Sequence, residues 1–505
     1  MEIIACLICV VANVEGINMT ISKLIAVLVL FLSFSVNASS VLELMGSSDS
    51  VNSFTSRTLS TGAEAAYFNP AYLVMMEDSF RIGYGIMLQS KQINHFAKDS
   101  KYDVSSEIYG ADQSELTGNG RYVPIATEDL INRRGSSDYD SFDMMITIGA
   151  VKSIWKNRLA AGTYIVLPTS GIQTQDPFYN DEREQYFSNS LHYELYGDRL
   201  KQFSMAFALG GKVSNFLSLG FGVAVTTYTV TQNRVFVPDG SDPSAQIINA
   251  KMKVGGSAAP YFSFVANPLK GLNLTGTFHF PTNTGVVELN NEMQVWNWNY
   301  EGDERYLEAS SVMTAGYQPI KFSGGIYYDF DFRGYKLTPM GSFEWTRWST
   351  YINRHGETPA DKWLDTFSGN WGFHIQNKDR KAAIDFTFIP SPVPKQDGRE
   401  NYVDNDRFGF SVGYNEYFHF KDFSVGGGIS SSVQFLLKRV EEKNLKRSEK
   451  DGGIIDEFPD DATNYFDMEG GFPSAQGLQT NNPGFPGWES KGFVLGVGIN
   501  IEVLY

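Results

Sequence analysis

Histidine, the usual general base, occurs at positions 95, 192, 279, 355, 374 and 419, too scattered to form a paired base and nucleophile set. No Gly-x-Ser-x-Gly elbow, phosphate loop or metal-ligand spacing accompanies them, so no catalytic residue, cofactor or metal ligand is expected. His279, in Thr277-Phe278-His279-Phe280, reads as an inward or girdle residue of a strand. What remains is chemistry by binding. A cation set among apolar walls can hold the head of an amphipathic acid, and Arg234 is the first candidate. It shares the parity of Ser218, Gly220, Gly222, Ala224, Tyr228 and Gln232. If that register holds, it faces inward. At ~2.5 Å of axial rise per tilted residue it lies ~40 Å above Ser218, beyond a ~25 Å apolar band. The competing reading is a salt bridge to a lumen Glu or Asp.

The element that positions Arg234 is legible between Gln202 and Arg234. Phe203, Met205, Phe207 and Leu209 alternate with Ser204, Ala206, Ala208 and Gly210. After a polar turn at Ser214 and Asn215, Leu217, Leu219, Phe221, Val223 and Val225 alternate with small residues. Period two means strands. One apolar face and one small face suit a wall with lipid outside and a narrow lumen inside.

The same grammar recurs. Phe80, Ile82, Tyr84, Ile86 and Leu88 share one face, opposite Arg81, Gly83, Gly85 and Met87. Strands are expected over 142–151 and 159–167, with Pro168 ending the third. Proline cannot donate to a ladder, so the chain there either simply leaves the wall or lets it kink and part. Short turns fall at 156, 267–271, 333, 378–380 and 419–422. Long polar loops fall near 170–198, 239–255, 291–305, 352–367, 391–405 and 442–488. Alternating short and long connections is the asymmetry of outer-membrane barrels. The expected fold is therefore all-β, a transmembrane antiparallel barrel of about fourteen strands. A segment preceding it, residues 39–78, is either a periplasmic tail or a plug inside the lumen.

Composition agrees with this. In 505 residues no apolar run long enough for a spanning helix follows residue 40. Lys23, the run Leu24–Phe34 and Val36-Asn37-Ala38 read as a secretory signal over 1–38, with translation starting at Met1 or at Met19. The barrel is assigned to 79–505. Cys6 and Cys9 both precede the cleavage site, so no disulfide is expected. Removing 1–38 leaves 40 basic and 55 acidic residues, a balance that argues against nucleic acid. The last strand, 492–505, ends on Tyr505 with Phe493, Leu495, Val497, Ile499, Ile501 and Val503 on the same face, as in proteins handled by the outer-membrane assembly machinery.

Three stretches resemble the FadL family of outer-membrane transporters for long-chain fatty acids and other hydrophobic compounds. They are Ser391-Pro392-Val393-Pro394-Lys395-Gln396 followed by Asp404-Asn405-Asp406-Arg407-Phe408, then Glu344-Trp345-Thr346-Arg347-Trp348-Ser349, and Asn69-Pro70-Ala71. The resemblance implies a monomeric barrel in the Gram-negative outer membrane, among its lipid and lipopolysaccharide, closed by an N-terminal hatch. Tyr67, Phe68, Asn69, Pro70, Ala71 and Leu73 would belong to that hatch. It implies ligand binding at Arg234 and, at a nearly matching spacing, at Arg354 and His355. It also implies release through a side opening near Pro168, Thr169 and Gly171. Where the family's hatch is Gly-rich and acidic, Ser53–Ala66 offers only Gly62 and Glu64. The alternatives are an aromatic hydrocarbon channel of the same family, a structural or adhesive surface barrel, and a barrel hydrolase.

Overall fold

The computed structural model describes residues 40–96, 136–169, 195, 203–238, 247–281, 287–295, 305–313, 317–352, 358–359, 361–395, 402–442 and 487–505. The expected signal segment 1–38 lies outside them. The N-terminal segment carries a helix α1 (Ser40–Met45), a short α2 (Ala65–Phe68) and a 3-10 turn over Pro70–Met75. Strands follow in chain order: β1 Ser79–His95, β2 Ser136–Trp155, β3 Leu159–Pro168, β4 Phe203–Lys212, β5 Leu217–Val237, β6 Ile247–Leu269, β7 Leu272–His279, β8 Val287–Val295 and β9 Arg305–Met313. The second half supplies β10 Lys321–Tyr328, β11 Phe330–Phe332, β12 Tyr335–Thr346, β13 Thr366–Gln376, β14 Arg380–Ile389, β15 Arg407–His419, β16 Ser424–Glu442 and β17 Gly487–Leu504.

Antiparallel neighbours run in sequence from β1 to β7, pass from β7 to β10, and continue from β12 to β17. Pairing of β1 with β17, from Ser79 opposite Leu504 to His95 opposite Trp488, closes the ring. Fourteen strands make that ring among the described residues. The short β11 continues β10 along β12, and the β8–β9 hairpin stands outside the ring against the end of β5.

The alternation read from sequence becomes an alternation of environment. On β1, Phe80, Ile82, Tyr84 and Leu88 are 37–48% exposed, whereas Arg81, Met87 and Gln89 are buried. The same outward apolar face recurs in Leu219, Phe262, Ile326, Ile429 and Ile499. A belt of this extent is not tolerable in water, where exposed apolar patches rarely exceed several hundred Å². It is the lipid-facing surface of a barrel. No helix among the described residues is long and apolar enough to cross a membrane. Near the short turns, Trp155, Phe216, Phe332, Phe418 and Phe423 are exposed, as an interfacial aromatic girdle requires.

Two expected loops are corrected. The stretch 291–305 is bracketed by β8 and β9, which pair from Val287 opposite Met313 to Val295 opposite Arg305. The stretch 239–255 contains the start of β6 at Ile247. The cause is one and the same. Above the hydrocarbon layer a strand no longer meets lipid, so polar residues such as Asn249 and Lys251 can occupy exposed strand positions and the lipid-facing pattern ends before the strand does. Strands β2 and β16 outrun their apolar stretches in the same way.

Candidate functional site

A fourteen-stranded ring is wider than the roughly eight-stranded barrel whose own side chains fill it. Residues 40–74 occupy the difference. Val51, Ala63, Ala65, Ala66, Tyr67, Phe68, Ala71 and Leu73 are each at most 1% exposed. The small inward face of β4 and β5 is what admits them. A Cβ on Gly210 would lie 2.3 Å from the Pro70 carbonyl oxygen, and one on Gly220 would lie 2.3 Å from the Ala71 nitrogen.

Asn69, Pro70 and Ala71 form the joint of this plug. Asn69 ends α2 with φ −160° and donates from Nδ2 to the Arg57 carbonyl at 3.0 Å, while Pro70 opens the 3-10 turn where a missing N–H costs nothing. The Ala71 N–H donates to Ser263 Oγ on β6 at 2.9 Å. Tyr67 packs edge-on to Phe68, with centroids 5.0 Å apart, and lies 5.4 Å from the His279 ring. His279 in turn stacks on Tyr261, whose hydroxyl donates to the Ala66 carbonyl. His279 is thus a lumen residue, buried against the plug.

Three polar joints fasten plug to wall. Arg81 on β1 is fully buried and places Nη1 2.8 Å from Glu64 and Nη2 3.1 Å from Glu502 on β17. It also donates to the Asp49 carbonyl, and Tyr417 donates to Glu502 at 2.9 Å. Gly62 gives this guanidinium its room, since a Cβ there would lie 1.9 Å from Nη2. The single Gly and single Glu of Ser53–Ala66 are therefore both spent on Arg81.

The second joint alternates signs around Glu43, Arg57, Lys321 and Glu344. Arg57 reaches Glu43 at 2.5 Å and Glu344 at 3.1 Å, and Lys321 pairs with Glu344 at 2.8 Å and with Glu43. Burial would push the Glu43 carboxyl up, but Arg57 and Lys321 outweigh it and hold it well below the usual carboxylate range. In the third joint, Asp385 on β14 accepts from the Phe54 N–H at 3.2 Å and from Thr55 Oγ1 at 2.9 Å. Nothing in sequence periodicity singled out these residues, because inward charges and inward small residues occupy the same alternate positions.

Arg234 lies near the outer end of β5, opposite Asn249 on β6 and Glu292 on β8. The β5–β6 pairing runs from Leu217 to Phe236 without a register shift, so Arg234 keeps the parity of Ser218. It is exposed. Arg354, His355 and Gly171 lie outside the described residues. Pro168 is the last residue of β3, opposite Met145, and Thr169 is exposed beyond it. Among the described residues, pairing of β3 with β4 runs to Val166 opposite Ser204, two residues short of its pairing with β2, while the Thr169 N–H donates to the Met144 carbonyl at 2.8 Å. Leu167 and Pro168 pair with Ile146 and Met145 of β2, and the description of β4 begins at Phe203.

The two remaining motifs build the outer rim. Tyr351 and Trp363 stack with centroids 3.7 Å apart, and Trp348 and Tyr402 pack against them. Arg439 on β16 donates to the carbonyls of Val393, Pro394 and Asp404 and to Ser391 Oγ, and Asn405 donates to Ser490 Oγ at 2.8 Å. These contacts tie the proline-rich loop to the wall. Among the described residues, no cluster of three His, Cys, Asp or Glu could hold a metal ion.

No protein-family model matches the chain, and no curated protein matches it either. Among solved structures, it is similar to a Pseudomonas aeruginosa FadL homologue with a TM-score of 0.52 and 15% identity, over 92% of this chain and 99% of that one. It also aligns with the P. putida toluene transporter TodX at a TM-score of 0.48 and 9% identity, over 92% of this chain and 98% of that one. The first likeness shows the fold of the barrel.

Proposed function

We propose that this chain is a passive outer-membrane transporter of the FadL kind, carrying long-chain fatty acids or related hydrophobic molecules. The observation that supports this most directly is a lipid-facing barrel whose lumen is filled by its own N-terminal segment and which shares the fold of the FadL homologue over nearly its full length. No step requires covalent chemistry, so the protein is not an enzyme in this reading. It acts as a monomer, seated in lipid and lipopolysaccharide, and reaches the membrane through the assembly machinery by its C-terminal strand.

In this mechanism the ligand is caught at the outer mouth, where Arg234 supplies a cation for a carboxylate, with Arg354 and His355 as further candidate ligands of the head group. Movement of the hatch around Asn69-Pro70-Ala71 then frees a path. The ligand leaves sideways at Pro168, Thr169 and Gly171, at and beyond the end of β3. The test is saturable binding of radiolabelled long-chain fatty acid to the purified protein, compared with Arg234→Ala and with an uncharged hydrocarbon competitor. Binding weakened about tenfold by the substitution, roughly 1.4 kcal/mol, is the expected result. Hydrocarbon competition with no effect of Arg234→Ala would transfer the reading to a neutral ligand, and absence of saturable binding would leave a surface barrel.

A further inference from the structure

At the short-turn end, beneath the plug, lies a cavity of about 580 Å³, within the range of about 300–1,000 Å³ typical of small-molecule sites. Its wall is two-sided. Leu59, Met75 and Met76 of the plug and Tyr327 and Leu504 of the barrel supply apolar surface. Across from them, β12, β13 and β14 present Lys336, Gln376 and Lys381 in one row, Lys336 opposite Gln376 and Gln376 opposite Lys381. His374 stands one inward position above that row, opposite Thr338 and Ala383.

The charges along this wall are not all spent. Lys336 pairs with Asp329 at 2.8 Å, His419 with Asp379 at 3.2 Å, and Glu502 is engaged by Arg81 and Tyr417. Glu77 and Lys378 lie exposed at the rim. Lys381 has no carboxylate within ion-pair distance among the described residues; its ammonium donates to the Thr61 carbonyl at 3.4 Å and lies 4.8 Å above the Tyr417 ring. His374 is 1% exposed, lines the cavity, and has neither ring nitrogen partnered among the described residues. A buried ring N–H without an acceptor is costly unless something brings one.

We infer that this cavity is a second binding site, for an amphipathic carboxylate held head-first, with its carboxylate on Lys381 and the His374 N–H and its chain against Leu59, Met76 and Tyr327. The inference rests on the transport reading in one respect: the ligand reaches this site past the plug, on the side opposite its entry. It is a station apart from the lateral route, which leaves the wall at the other end of β3.

The test uses the full chain in lipid nanodiscs with a diazirine-bearing dodecanoate, adducts being mapped by mass spectrometry. Label is expected on the peptides carrying Leu59–Glu77 and Tyr327. Lys381→Gln should lower that label at least tenfold, Lys381→Arg should restore it, and the heat-modifiable electrophoretic mobility of the folded barrel should not change in either. Unlabelled dodecanoate should compete and dodecanol should not. Label indifferent to Lys381→Gln, or displaced equally by dodecanol, overturns the site, as does displacement by inorganic phosphate at the same concentration, which would mark a small-anion pocket without a place for the chain. Fatty-acid uptake by cells with no label in the cavity removes this site alone. Lys381-dependent label in a protein that gives cells no uptake keeps the site and removes the transport reading.

Discussion

Arg81 shows how much one inward residue can be asked to do. It is a fully buried cation on a strand whose other face meets lipid, and it holds Glu64 of the plug and Glu502 of the wall together. Removing one partner of a buried ion network leaves uncompensated charge, at a cost of about 3–5 kcal/mol. Arg81→Ala should therefore destabilise the protein by that order in denaturant unfolding followed in detergent. Arg81→Ala combined with Glu64→Gln and Glu502→Gln should recover most of the loss, because no carboxylate is then left unpaired. A triple variant as unstable as the single one would mean that the guanidinium acts by packing. The sequence placed Arg81 on the inward face of its strand and went no further. Its partners lie 17 and 421 positions away, a separation at which no periodicity carries information.

At the scale of elements, what could be read in advance and what could not divide along the membrane boundary. Every short turn expected from polar residues, such as 267–271 and 378–380, joins two neighbouring strands. Within the hydrocarbon each outward position must be apolar, so the pattern is forced; above it the constraint lapses, and the hairpin β8–β9 escaped notice for that reason. The small face of β4 and β5 was legible as a narrow lumen, yet its cause, the approach of Pro70 and Ala71 to Gly210 and Gly220, lay in a segment without alternation. The β3–β4 seam supplies the test of the lateral exit. Among the described residues pairing runs to Val166 opposite Ser204, which makes Leu167 and Phe203 the next facing positions. A disulfide needs facing Cα atoms about 4.4–6.8 Å apart, and the sequence has no cysteine after Cys9. Leu167→Cys with Phe203→Cys should abolish fatty-acid uptake by cells under oxidising conditions and regain it with reductant, binding at the outer mouth being unchanged. Undiminished uptake with the bond formed would close the seam as a route.

For the whole molecule the question is whether the plug is a core or a stopper. A soluble domain of this size stands on its buried apolar centre, but a barrel is held by ring closure, with every strand bonded on both sides. The wall also keeps its own charge pairs: Lys321 with Glu344 at 2.8 Å and Arg81 with Glu502 at 3.1 Å, while Asp385 retains Ser411 Oγ at 3.4 Å. Deleting residues 40–76 would strip Glu43, Arg57 and Glu64 from these networks, and water entering the lumen would solvate what they leave. The ring should therefore persist. The truncated protein is expected to keep the heat-modifiable mobility of a folded barrel, to melt at lower temperature than the intact one, and to give stepwise ion conductance in planar bilayers where the intact protein gives none. Fourteen strands leave a lumen that side chains alone do not fill, so conductance is the readout that separates the two roles. A truncated chain that fails to fold would make the plug the core of the molecule, and a folded one that does not conduct would mean that the outer rim, with Trp348, Tyr351, Trp363 and Tyr402 packed together, seals the barrel by itself.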